Sequence, residues 1–122
     1  MKSILLVEDE FLLREGFQEV LEIQGYKVIG AGDGLEALEW IQKAHIDLVI
    51  TDIVMPKMDG VDFVAKLRKS HPTLPVLVVT GSTGAVMSRF GLKSLVIPGA
   101  NDCLVKPFLI VDLIDRVKAL LV

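Results

Sequence analysis

Short apolar runs alternate with helix-spaced stretches along the whole chain, and the runs end on polar side chains. Ile4-Leu5-Leu6-Val7 leads into Glu8-Asp9-Glu10, and Leu48-Val49-Ile50-Thr51 leads into Asp52. Val76-Leu77-Val78-Val79 leads into Thr80-Gly81, and Leu104-Val105 into Lys106. Continuous apolar runs of this length read as strands buried on both faces. Helical connections between such strands make the sheet parallel and cover it on both sides. The spacing predicts strands over 2–7, 26–31, 47–52, 75–80 and 102–105. It predicts helices over 11–24, 35–44, 60–70, 85–92 and 109–121.

The helical stripes are Leu13, Phe17, Val20 and Leu21, then Ala37, Leu38 and Ile41, then Phe63, Val64 and Leu67. The last is Leu109, Leu113, Ile114, Val117, Leu120 and Leu121. Trp40 falls off its stripe and is expected to be partly exposed. Gly25 and His71-Pro72 stop helices, and Gly32-Asp33-Gly34 and Pro56 through Asp59-Gly60 turn the chain. With 122 residues and no linker or repeat, one domain spanning 1–122 is expected. Hydrophobic residues make up 52% of the chain, so the core is large and mostly Val, Leu and Ile.

Composition excludes several function classes. A formal net charge of −3 gives no global attraction to nucleic acid or to an acidic membrane surface. No apolar run approaches the ~20 residues that span a bilayer. The amino-terminal run is too short for a secretion signal and closes on acids. Cys103 has no partner cysteine, which makes an intracellular, cytoplasmic protein the simpler reading. The chain starts a few residues before its first strand and stops as its last helix ends. It reads either as a stand-alone unit or as the amino-terminal piece of a longer protein.

Ligands of such open sheets bind beyond the carboxyl ends of the strands. There the sequence delivers Glu8 and Asp9 from the first strand, Asp52 from the third, Thr80 from the fourth and Lys106 from the fifth. Two carboxylates ~4 Å apart repel by roughly 4 kcal/mol at an effective dielectric of about 20. The cluster therefore holds either a proton or a cation. No histidine lies at these ends, so zinc does not fit, whereas oxygen donors suit a hard divalent cation such as Mg²⁺. Lysine and a hydroxyl beside it suit a phosphoryl oxygen. The chemistry this supports is attack of a carboxylate on phosphorus to give an acyl phosphate, with Asp52 as nucleophile. His45 and His71 match no metal motif.

These stretches resemble the receiver domain of response regulators in two-component signal transduction, of the chemotaxis-regulator type. The similarity runs through Ile4 to Glu10, Asp47 to Pro56, Asp59-Gly60, Pro75 to Gly81, and Gly99-Ala100 through Leu104-Val105-Lys106-Pro107-Phe108. It implies a flavodoxin-like fold with strand order 2-1-3-4-5. It also implies that Asp52 is phosphorylated and that Asp9, Glu8, Asp52 and the Val54 carbonyl form the Mg²⁺ site. Thr80 and Lys106 would contact the phosphoryl group, and the Lys106-Pro107 bond would be cis. The phosphoryl donor would be a sensor histidine kinase or a phosphotransfer protein in a phosphorelay. The receiver of an output domain or partner would be the face made by the fourth helix, fifth strand and last helix, which is also a candidate homodimer face. The only catalysis implied is self-phosphorylation and self-dephosphorylation.

Three departures from the pattern matter. Cys103 stands where an aromatic switch residue is expected, and is read as a small buried hydrophobe before a redox group. The stretch from Thr80 to Gly99 is about four residues longer than usual and apolar, with Phe90, Leu95, Val96 and Ile97, which suits either a partner face or packing on the core. Glu8 replaces the commoner aspartate. Val54 and Ser82 flank the expected route of hydrolytic water, and valine cannot orient water, so self-dephosphorylation is expected to be slow. Two other readings are a receiver-like interaction module that is never phosphorylated and an aspartyl-phosphate phosphohydrolase. The second lacks a general acid at Val54 and a cap domain.

Overall fold

A computed structural model describes residues 1–81 and 97–122. The strands are β1 (Ser3–Val7), β2 (Lys27–Ala31), β3 (Leu48–Asp52), β4 (Val76–Thr80) and β5 (Asp102–Val105). All pair in parallel, in the order β2-β1-β3-β4-β5 that the family resemblance implies. Among the described residues there are four helices: α1 (Phe11–Ile23), α2 (Gly34–Lys43), α3 (Gly60–Ser70) and α4 (Ile110–Leu120). The helix expected over 85–92 lies outside the described residues, as does most of the apolar stretch around it. No helix among those described is long and apolar enough to cross a membrane.

Strand side chains alternate between two cores. Leu5, Val7, Val49, Val76 and Val78 pack with Ala37, Ile41, Phe63, Val64 and Leu67 under α2 and α3. Ile4, Leu6, Leu48, Ile50, Leu77 and Val79 pack with Phe17, Leu21, Leu113 and Val117 under α1 and α4. Each fully buried side chain of this size contributes about 1.5–3 kcal/mol. The α2 and α3 stripes thus lie where their spacing puts them, as do Leu13, Phe17 and Leu21 of α1, whereas Val20 is only half-buried, and Trp40 is partly buried with Lys43 Nζ 4.5 Å from its ring centre. Leu109 departs from expectation. It sits at the N-cap of α4, one residue before the helical spacing begins, and is 68% exposed.

Helix ends follow local chemistry. Asp33 and Asp59 cap α2 and α3 by accepting from Glu36 N and Asp62 N. Gly25 closes α1 at φ +95°, a conformation in which a Cβ is strained. Four strands begin one residue later than the apolar pattern suggests. At the far edge of the sheet, the Arg68 guanidinium from α3 donates to the carbonyls of Gly99, His71 and Leu74 and to Asn101 Oδ1. Asn101 Oδ1 also accepts from Val76 N at 2.8 Å, tying α3 to the start of β4 and the approach to β5.

Asp47 fastens the start of β1. Its carboxylate accepts from Ser3 N at 2.8 Å and meets His45 Nε2 at 2.8 Å. The Ser3 hydrogen bond, more than His45 and Lys2, holds the Asp47 carboxyl below the usual 3.8. A depressed carboxyl stabilises the fold above its unfolded value, and this is lost as pH falls through the folded value. Asp47→Ala is therefore expected to lose about 1–2 kcal/mol at neutral pH. In denaturant titrations the gap between variant and wild type should shrink in acid below 3.8. A gap of constant size would refute the assignment.

Candidate functional site

The register of the sheet brings the polar strand ends together. Val7 pairs with Thr51, so Glu8 and Asp52 follow on adjacent strands. Asp52 pairs with Val79, and Thr80 with Val105, which places Thr80 and Lys106 next in line. Lys106 N donates to Thr80 O at 2.7 Å, extending the ladder by one residue. Oxygens of Glu8, Asp9 and Asp52 lie within 4.8 Å of one another. Lys106 Nζ reaches between two of them, 3.1 Å from Glu8 Oε1 and 3.4 Å from Asp52 Oδ2.

The electrostatics are unbalanced toward negative charge. Glu8 is buried, with Asp52 beside it, and these two causes raise its pKa above the usual 4.5. Hydrogen bonds from Glu10 N and from Lys106 pull it back only in part. Burial alone would lower Lys106, but Asp52 and then Glu8 outweigh it and push the ammonium above 10.5. Asp52 uses Oδ1 to accept from Ile53 N at 2.7 Å. Thr80 Oγ1 is buried and, among the described residues, has no hydrogen-bond partner. An unsatisfied buried hydroxyl costs about 1–3 kcal/mol, so this one is poised for an incoming acceptor.

The expected residues Glu8, Asp9, Asp52, Thr80 and Lys106 thus converge at one end of the sheet. Val54 lies two residues beyond Asp52 with a half-exposed side chain. The donor set is three carboxylates without sulfur or nitrogen, which fits Mg²⁺. The Lys106-Pro107 bond is cis. Cys103 is half-buried against the core under α2 and α3, and burial followed by Asp102 raises its thiol pKa above 9.0. This suits a small packing residue and disfavours a reactive thiolate. Ser82 lies outside the described residues.

Sequence reasoning missed three supports of the site. Gly60 abuts the Asp52 backbone so closely that a Cβ there would collide with the Asp52 carbonyl oxygen. Glycine at a first helical turn, where its propensity is poor, was the available signal. Met55 and Met58 are buried, and Met58 covers Gly34 while Lys57 Nζ lies 3.6 Å from Asp33 Oδ2, seating the loop after Asp52 on the start of α2. Arg14 donates to the Glu8 carbonyl.

Known proteins are similar to this chain in sequence and in fold. The family described as the response regulator receiver domain matches residues 4–118. Response regulator MprA of Mycobacterium leprae is 37% identical over 118 residues, covering 97% of this chain and 50% of that protein. The chain thus spans about half the length of the curated relatives it matches. Response regulator TrrA of Thermotoga maritima, solved in complex with Mg²⁺-BeF, superposes with TM-score 0.84 at 32% identity, covering 98% of this chain and 99% of that one. Chemotaxis response regulator CheY4 of Vibrio cholerae superposes with TM-score 0.84 at 34% identity, covering 98% of both chains.

Proposed function

The chain belongs to the response regulator receiver family of two-component systems, and from that premise we propose that Asp52 accepts a phosphoryl group from a phosphohistidine donor. The observation that carries this reading is the convergence of Glu8, Asp9 and Asp52 with Lys106 at the sheet end, beside a buried Thr80 hydroxyl that has no partner among the described residues. In the proposed step an Asp52 carboxylate oxygen forms the bond to phosphorus. The P–N bond of the donor breaks, and its electron pair stays on the imidazole. Glu8, Asp9, Asp52 and the Val54 carbonyl would hold Mg²⁺, which supplies positive charge against the phosphoryl oxygens.

This chain's own side chains do the rest. Lys106 can turn from Asp52 to a phosphoryl oxygen with little loss of charge pairing. Thr80 gains the acceptor it lacks. Phosphorylation adds roughly two negative charges, and the movement of Thr80 and Lys106 biases the face that includes β5 and α4. That face would address an output domain or a partner protein, or a second copy of the chain. We take 1–122 as one receiver domain acting in the cytoplasm as a signalling module, not a turnover enzyme. Val54, at the place a phosphohydrolase needs its general acid, speaks against that alternative.

Incubation with acetyl phosphate and Mg²⁺, read by intact-protein mass spectrometry, tests the reading. One hydroxylamine-labile phosphoryl adduct is expected, and EDTA should prevent it. The absence of any adduct, together with no spectroscopic response to beryllofluoride, would refute the proposal.

A further inference from the structure

The turn that carries Glu8 and Asp9 lacks the usual fastening. The N-cap of α1 is Glu10, and its side chain makes no capping hydrogen bond. Glu8 N continues the ladder by donating to Ala31 O at 3.0 Å. The Glu8 carbonyl is met instead by a side chain, Arg14 Nη1, at 2.6 Å. Arg14 N in turn donates to Glu10 O at 2.9 Å. One residue thus closes the turn from both sides, by backbone at Glu10 and by guanidinium at Glu8.

The path of Arg14 is itself built. Its stem crosses β2 where Gly30 leaves room, since a Cβ there would lie 3.3 Å from Arg14 Cδ and 3.4 Å from Nε. Its tip passes Gly32, where a Cβ would lie 3.6 Å from Nη1. The Phe11 ring flanks the guanidinium, 5.6 Å from centroid to Cζ. Taking the acid cluster as the Mg²⁺ site proposed above, we propose that Arg14 is a positioning residue whose hydrogen bond to the Glu8 carbonyl fixes the turn that presents Glu8 and Asp9 to the cation.

Charge and positioning make opposite forecasts for this residue. Removing a cation near a Mg²⁺ site should tighten Mg²⁺ binding if Arg14 acted through charge alone. Removing a partner that orients the ligands should weaken it, on the order of tenfold. Titration calorimetry with Mg²⁺ on wild type, Arg14→Met and Arg14→Lys separates the two, with the Glu8 carbonyl ¹³C shift as a second readout. Arg14→Met is expected to bind about tenfold more weakly, to shift the Glu8 carbonyl resonance, and to melt near wild type in EDTA. Arg14→Lys, which keeps one donor, should recover most of the affinity. Arg14→Gln carries the same expectation as Arg14→Met should the latter fail to fold. Unchanged or tighter binding in the neutral variants, or a lysine variant as weak as they are, would overturn the inference. Wild type that takes up no Mg²⁺ would overturn the metal-site reading, and this inference with it.

Discussion

Asp52→Asn is expected to abolish phosphoryl uptake and, in EDTA, to raise the melting temperature. The first effect follows from losing the proposed nucleophile. The second follows from the charge balance, because Glu8, Asp9 and Asp52 crowd within 4.8 Å and, among the described residues, are paired with Lys106 alone. Asparagine can keep the bond from Ile53 N through its Oδ1, and Lys106 keeps Glu8 at 3.1 Å. What disappears is the repulsion that helps hold Glu8 above its usual pKa. Since a like-charge pair ~4 Å apart costs roughly 4 kcal/mol, and Lys106 loses one partner in exchange, a net gain of about 1–2 kcal/mol is expected. This corresponds to a rise of roughly 3–8 °C. With Mg²⁺ in excess the order should reverse, because ligand binding stabilises wild type more. Thermal melts in EDTA and in Mg²⁺ check both halves. A variant that melts lower than wild type in EDTA would show that Asp52 is held mainly by its pairing with Lys106.

The same variant should change how stability depends on pH. A carboxyl raised in the folded state binds its proton more tightly there than when unfolded. Its contribution therefore rises as pH falls through the folded value and levels off below the unfolded 4.5. Removing Asp52 lowers the folded value of Glu8 and should flatten this rise.

Gly60→Ala is expected to cost stability where glycine-to-alanine changes in helices normally add it. The ordinary gain is about 1 kcal/mol. Here a Cβ would collide with the Asp52 carbonyl oxygen and lie 2.7 Å from Ile53 Cα and 3.1 Å from the Asp52 carbonyl carbon. All three are backbone atoms, so no side chain can swing aside. Gly60 N also donates to Ile53 O at 2.7 Å, locking the helix start against the residue that follows Asp52. Alanine must push α3 away or shift Asp52. We expect a net loss of about 1–3 kcal/mol, a melting temperature lower by roughly 3–12 °C, and Mg²⁺ binding weakened by about tenfold or more. A variant with wild-type melting and wild-type Mg²⁺ affinity would mean that the helix start has slack the geometry does not suggest.

The sheet and its edge were legible because both depend on short-range signals. An apolar run followed by an acid, a hydroxyl or a lysine needs no long-range information once the strands are parallel, and this put Glu8, Asp9, Asp52, Thr80 and Lys106 at one end. The α3 stripe of Phe63, Val64 and Leu67 was equally readable from spacing, and all three are fully buried. Leu109 misled because periodicity counts residues and does not see where a cap interrupts the helix. Arg14 and Gly60 were hidden for another reason. Their roles arise from contacts with backbone atoms of other segments, and a carbonyl oxygen has no letter in a sequence. The same holds for Arg68, which reads as an ordinary last-turn cation.

Arg68 has a consequence for how such a chain can vary. Its guanidinium and Asn101 secure Gly99, His71, Leu74 and Val76 on one side of the sheet, and the bond from Lys106 N to Thr80 O secures the other. Between those two fastenings the register of β5 against β4 is held at both ends. The reach of Lys106 toward Glu8 and Asp52 depends on that register. A change at Arg68 or Asn101 is therefore expected to be felt at Lys106, at the opposite end of β5.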